Sequence, residues 1–110
     1  MKAGHESRQV RKDLPLGEIY LPMERLVAYY APDELGTLRG VQLPFNFHLI
    51  STHWEAAALA ELIRKYEASI PPQGWPNWVL GNHDQSRIAS RVGESRAALA
   101  ACLLLTLRGT

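Results

Sequence analysis

Three times along this chain a short apolar run is followed by a segment with helical spacing, and that order restricts the fold more than any single residue does. The run PLGEIYL precedes PMERLVAYY, in which Pro22 suits a first helical turn and Leu26, Val27 and Tyr30 share a face. After the turn-rich APDELGTLRG comes VQLPFNFHLI, too apolar throughout to be half solvated, which predicts a strand buried on both sides. The next helix is expected to start at THWE, with Thr52 capping the backbone and Glu55 reaching back in a capping box. It should run to about Ser69 on a stripe of Ala58, Leu59, Leu62, Ile63 and Tyr66, and PPQGWP ends it. The third run, NWVL, leads into polar residues, a turn or short helix through Arg91, Val92 and Gly93, and a last helix from Ser95 to Leu107 closed by Gly109. Helices of that length cannot serve as hairpin connections, so the strands should be parallel with right-handed crossovers. The predicted class is α/β.

A chain of 110 residues suffices for one domain with a modest core. Its formal charge of +1 is spread over interspersed acidic and basic residues, which argues against nucleic acid or anionic lipid as a partner. Cys102 is the one cysteine, so a disulfide framework and a thiolate metal site are excluded, and its apolar helical context predicts a core position. The first residues are polar and charged, and no apolar run approaches the roughly 20 residues of a membrane span. A cytoplasmic protein is the expectation.

In parallel α/β sheets functional groups collect where strands end and the loop to the next helix begins. That rule selects Glu18 after the first run, His48 near the end of the second, and Asn82, His83 and Asp84 after the third. Two carboxylates on one rim suit glycoside hydrolysis, in which one protonates the leaving oxygen and another handles the positive charge on the sugar. A glutamate at a strand end is more often a solvated or loop-capping group. His48 following an apolar strand is expected to line the rim or pair with backbone, and His53 to be solvated in a first helical turn. Trp54, Trp75 and Trp78 fit packing roles better than a sugar-stacking platform.

The blocks GEIYLP, LPFNFHLI, WPNWVLGNHDQSRIASRVG and LLLTLRGT, in this order and spacing from Leu16 to Thr110, closely resemble glycoside hydrolase family 13, the α-amylase superfamily. The likeness is greatest to its α-glucosidase branch, which includes oligo-1,6-glucosidases and maltases. The resemblance implies a (β/α)8 barrel, with these strands similar to the fifth, sixth and seventh and the sequence ending before the eighth. It implies that Glu18 is the general acid/base and that His83 and Asp84 hold the hydroxyls of the sugar in the −1 subsite, Asp84 also favouring its oxocarbenium-like transition state. Asn82 would shape the loop and Arg87 line the pocket. The implied substrate is an α-linked gluco-oligosaccharide, cleaved with retention or transferred, without an organic cofactor and with no metal ligand assigned to this chain.

Several features depart from the family pattern. Ser86 stands where the family usually has proline, and Pro15 falls where a central strand would lose a hydrogen bond. Residues 1–14 match no block, which divides the chain into that segment and residues 15–110 as the C-terminal part of a catalytic barrel. The Gly-Phe-Arg-x-Asp-like block that carries the family's nucleophile is missing from the 110 residues, as is the block after strand three, so the chain by itself is expected to be inactive. Three strands would leave two open edges through which copies of the chain could associate. Two other readings stay open at this point. A non-catalytic remnant could bind α-glucan, and VLGNHD also resembles the metal-binding block of metallophosphoesterases, although the other ligand blocks of that family are lacking.

Overall fold

In the computed structural model, which describes residues 16–110, the chain folds as helices packed on one side of a small parallel sheet. Pro15 and the segment 1–14 lie outside the described residues. Strand β1 (Leu16–Ile19) pairs in parallel with β2 (Leu43–Asn46), from Leu16 opposite Leu43 to Ile19 opposite Asn46. Between them α1 (Met23–Val27) passes into a 3-10 turn over Ala28–Tyr30. The helix starts at Pro22, whose carbonyl accepts the amides of Arg25 and Leu26. Its apolar spacing works as expected, with Leu26 and Tyr30 fully buried. The chain then folds back so closely that a Cβ on Gly40 would sit 2.0 Å from the Tyr29 carbonyl oxygen, a contact only glycine permits.

The second unit differs from the expected ten-residue strand. Asn46 Oδ1 accepts the His48 amide at 3.0 Å, and this local turn ends β2 and starts the short helix α2 (His48–Ser51). Thr52 consequently closes a helix and does not open one. Its hydroxyl donates to the His48 carbonyl at 2.7 Å, and the predicted capping box with Glu55 does not form. Helix α3 (Ala56–Ser69) begins after Glu55 without a side-chain cap, and it ends where the sequence places its end. His53 lies ahead of that helix, exposed, with its Nε2 3.3 Å from Glu55.

The third expected strand is reduced to one parallel bridge between Asn46 and Trp78. The ladder cannot extend upstream, because the next donor on β2 would be Pro44, which has no amide hydrogen. Downstream, the next donor from the β2 side, the His48 amide, is turned to Asn46 Oδ1. The Trp78 amide donates to the Thr110 carbonyl at 2.8 Å, so the end of the described chain lies against this run. Two short helices follow the polar loop: α4 (Ile88–Val92), and α5 (Glu94–Thr106), which begins at Gly93 with φ +88°. On α5 Ala100 is buried and Leu103, Leu104 and Leu107 pack on the core. Cys102 is exposed, correcting the expected core position, since two residues beyond Ala100 the helix has turned about 200°. No helix among the described residues is long and apolar enough to cross a membrane.

The core lies between the sheet and α1 and α3, and Trp78 and Tyr66 meet edge to face at its centre with ring centroids 5.0 Å apart. Tyr30 donates its hydroxyl proton to the Trp75 carbonyl at 2.7 Å, so the Tyr66 hydroxyl, 3.1 Å away, must be the donor to Tyr30. Burial raises the pKa of both phenols above the ordinary 10.0.

Replacing Tyr66 by Phe removes one donor and leaves the Tyr30–Trp75 bond intact, so it should cost about 1 kcal/mol. Tyr30→Phe should cost about 2 kcal/mol or more, because it strands both the Tyr66 hydroxyl and the Trp75 carbonyl. Urea unfolding of the two variants checks that order. Raised phenol pKa values also set a pH dependence. The stabilisation is complete below about pH 10 and is lost above it, as the unfolded phenols ionise and the folded ones do not. Melting temperatures between pH 8 and 11 should therefore fall less steeply for Tyr66→Phe than for the wild type.

Candidate functional site

Because β1 and β2 run in parallel, the turns that follow them emerge at one end of the sheet. Side chains alternate across a strand. Ile19 packs toward the core, and Glu18, in register with Phe45, is exposed on the opposite, helix-free face. Tyr20, two residues further, shares the Glu18 face and stacks on Phe47 with ring centroids 4.2 Å apart and planes 8° from parallel. Phe47 in turn meets the edge of Phe45 at 5.8 Å. An aromatic row therefore leads from the sheet face to the rim.

The polar loop after Trp78 reaches the same rim. Asn82 donates its side-chain amide to the Tyr20 hydroxyl, and its Oδ1 accepts the Asp84 amide at 3.0 Å. One asparagine thus makes the local turn of the loop and anchors its tip to the segment following β1. This contact brings the loop of Asp84 to the strand end that carries Glu18, although Trp78 contributes only one bridge to the sheet.

Tyr20, Phe47, His48, Ser51 and Gln85 line a cleft of about 600 Å³ at this rim, with contributions from all three units. Gln85, not the histidine or aspartate before it, forms the wall on the polar-loop side. His83 and Asp84 are both exposed, with Nε2 and Oδ1 3.5 Å apart, a separation at which a protonated imidazole pairs with the carboxylate. Arg87 is exposed at the residue preceding α4. Among the described residues no three of histidine, cysteine, aspartate and glutamate stand together in a way that could hold a metal ion.

Sequence reasoning missed Arg91. It sits half buried on α4 and donates to three backbone carbonyls, those of Ile50, Leu80 and Ser86. Only its spacing marked it, one helical turn after Arg87, and that spacing does not reveal which arginine turns inward. Asn46 was missed as well: it is fully buried, and its backbone amide donates to the Asn77 carbonyl at 2.9 Å. It also ends β2 through its side chain.

The geometry agrees with what sequence comparison finds. The family model described as the α-amylase catalytic domain matches residues 1–110. Maltase A1 of Drosophila melanogaster is 39% identical over 101 residues, covering 89% of this chain and 17% of that protein. The salivary alpha-glucosidase of Anopheles gambiae is 36% identical over 97 residues, or 86% of this chain and 16% of its own length. The amino acid transporter heavy chain of Homo sapiens is 33% identical over 89 residues, covering 80% of this chain and 13% of that protein. The chain therefore spans about a sixth of the length of the glucosidases it matches. Parallel strands, their loops gathered at one rim, and a family model that takes in the whole sequence make this chain a member of the α-amylase family, related to the maltases and α-glucosidases.

Proposed function

We propose that the chain supplies the proton-transfer group and the sugar clamp of an α-glucosidase-type barrel. That barrel acts on α-linked gluco-oligosaccharides by retaining hydrolysis or transglycosylation. Residues 15–110 form the C-terminal part of the barrel in this reading, and the names of the relatives, maltase and alpha-glucosidase, support the substrate class. The observation that carries it is the Tyr20–Asn82 contact, which joins the segment after Glu18 to the loop of Asp84.

In the proposed reaction the carboxylic acid of Glu18 gives its proton to the glycosidic oxygen as the bond to the sugar breaks. A carboxylate nucleophile takes the sugar as a covalent ester, and the Glu18 carboxylate then accepts a proton from the water or acceptor hydroxyl that displaces it. Asp84 and His83 hold hydroxyls of the reacting ring, and Asp84 favours the positively charged transition state. Asn82 orders the loop and Arg87 stands at the pocket wall. No organic cofactor takes part. The nucleophile must lie about 5 to 5.5 Å from the acid, and the 110 residues contain no block that supplies it.

A second reading is favoured by the transporter heavy chain among the relatives, since that protein is named for a transport assembly and not for a hydrolase. In that reading the same rim binds sugar or a partner without turnover. The aromatic residues Tyr20 and Trp75, 58% and 46% exposed, and the leucines Leu99 and Leu105, 65% and 84% exposed, also support self-association of the isolated chain. Sedimentation of the purified chain should show mass rising with concentration, and a monomer throughout would remove that part of the proposal.

Purified alone, the chain should release no aryl alcohol from an aryl α-glucoside above background, because an acid without a nucleophile forms no glycosyl ester. In a barrel completed with the remaining strands, Glu18→Gln should lower kcat on the order of 10²-fold or more for poor leaving groups, and far less for leaving groups that need no proton. Asp84→Asn should slow every substrate. Turnover by the isolated chain that Glu18→Gln leaves unchanged would overturn these assignments.

A further inference from the structure

The loop that carries Asn82, His83 and Asp84 is tied down at two places, and one of them has no assigned role. At its tip Asn82 reaches Tyr20. At its base Leu80 and Ser86 bracket the loop, and both of their carbonyls point at a single guanidinium. Arg91 Nε donates to the Ser86 carbonyl at 3.0 Å and Nη2 to that of Leu80, while Nη1 donates to the Ile50 carbonyl at 2.8 Å. Ile50 belongs to α2, which lines the rim cleft. Among the described residues Arg91 makes no ion pair, so its charge is met by backbone oxygens alone.

We propose that Arg91 is the positioning residue of this loop: its planar fork fixes the two ends of the Gly81–Gln85 segment to each other and to α2, and so sets where His83 and Asp84 stand at the rim. A guanidinium presents its N–H groups in a rigid plane and can serve three carbonyls in different directions without losing further side-chain freedom. A lysine at the same place keeps the charge, but its compact ammonium has no fixed fork. The loop has little else to hold its base. Gly81 has open space around it, His83 and Asp84 are exposed, and Trp78 contributes the last bridge to the sheet before the loop. Arg87, one turn earlier, is exposed and cannot take over.

What the positioned side chains then do rests on the sugar-binding reading above, and the experiment separates the two ideas. Backbone order parameters from 15N relaxation are to be measured on the 110-residue protein and on Arg91→Lys and Arg91→Ala, followed by titration with maltose. In Arg91→Lys the order parameters over residues 81–86 should fall below about 0.6, while those of α3 stay near 0.85. The maltose-induced shifts of the His83 and Asp84 amides should need on the order of tenfold more sugar, the worth of one charge-assisted hydrogen bond. Arg91→Ala should show the same loop disorder, and if it does not fold, the lysine variant decides. Wild-type loop order in Arg91→Lys, loss of order in α3 to the same degree as in the loop, or, where the wild type responds to maltose, an unchanged response in Arg91→Lys would each overturn the proposal. A wild-type chain that ignores maltose while its loop order still depends on Arg91 would remove the sugar reading and leave the clasp in place.

Discussion

The contact on which the rest of this structure depends is the meeting of Tyr66 with Trp78, together with the hydroxyl chain from Tyr66 through Tyr30 to the Trp75 carbonyl. A two-stranded parallel sheet is a weak scaffold, and the third unit adds only one bridge to it. Ladder hydrogen bonds therefore cannot be what holds the segment from Trp75 to Leu80 in place. Packing does so: Tyr66 from α3 and Tyr30 from the turn after α1 grip this segment from the helix side, burying aromatic surface and satisfying a carbonyl that would otherwise be unpaired. Arg108 lies over the Trp75 ring at 5.4 Å and pairs with Glu67 of α3 at 2.8 Å, which brings the end of the chain to the same place. The partly exposed ion pair adds little energy by itself, but it lies where three segments converge.

This packing has a functional consequence because direction is conserved through it. With Trp78 held parallel to Asn46, the polar loop that follows must leave at the end of the sheet where the segments after β1 and β2 also leave. Sheet architecture puts the loops at one rim, and side-chain chemistry then sets their local order. Asn82 spends one end of its amide on its own loop and the other on Tyr20, and Arg91 gathers carbonyls from both sides of it. The carboxylates themselves stand free in solvent, on the helix-free face for Glu18 and in the loop for Asp84. Exposed side chains borne on a braced loop suit the sugar-clamp role proposed for this chain.

Much of this arrangement was legible in the residues. The i, i+3 and i+4 spacing located Leu26 and Tyr30 on the buried side of α1 and placed the end of α3 at Ser69. The strand-helix order made the sheet parallel, and four blocks in order, from GEIYLP to LLLTLRGT, carried the family. Misreadings arose wherever one group had two partners to choose from. Thr52 has cap chemistry and a glutamate three residues on, yet Asn46 begins a helix upstream and leaves Thr52 to close it. NWVL has the composition of a strand, but facing it on β2 Pro44 has no amide hydrogen and the His48 amide turns to Asn46, which leaves it one bridge. Cys102 sits in an apolar run whose inward face is set by Ala100, and the helix turns it outward.

The sequence by itself determined the order and type of the elements, the parallel sense of the strands and membership of the α-amylase family. Each of these depends on periodicity or on a block of neighbouring residues, and both are local properties of the chain. Only the tertiary structure decided where the strands stop, which of two arginines turns inward, and how Asn82 comes to join the loop of Asp84 to the segment after Glu18. Those outcomes depend on competition for single donors and acceptors among residues far apart in the chain. That competition is settled only when the fold brings Ile50, Leu80 and Ser86 around one guanidinium, and Tyr20 within reach of one amide.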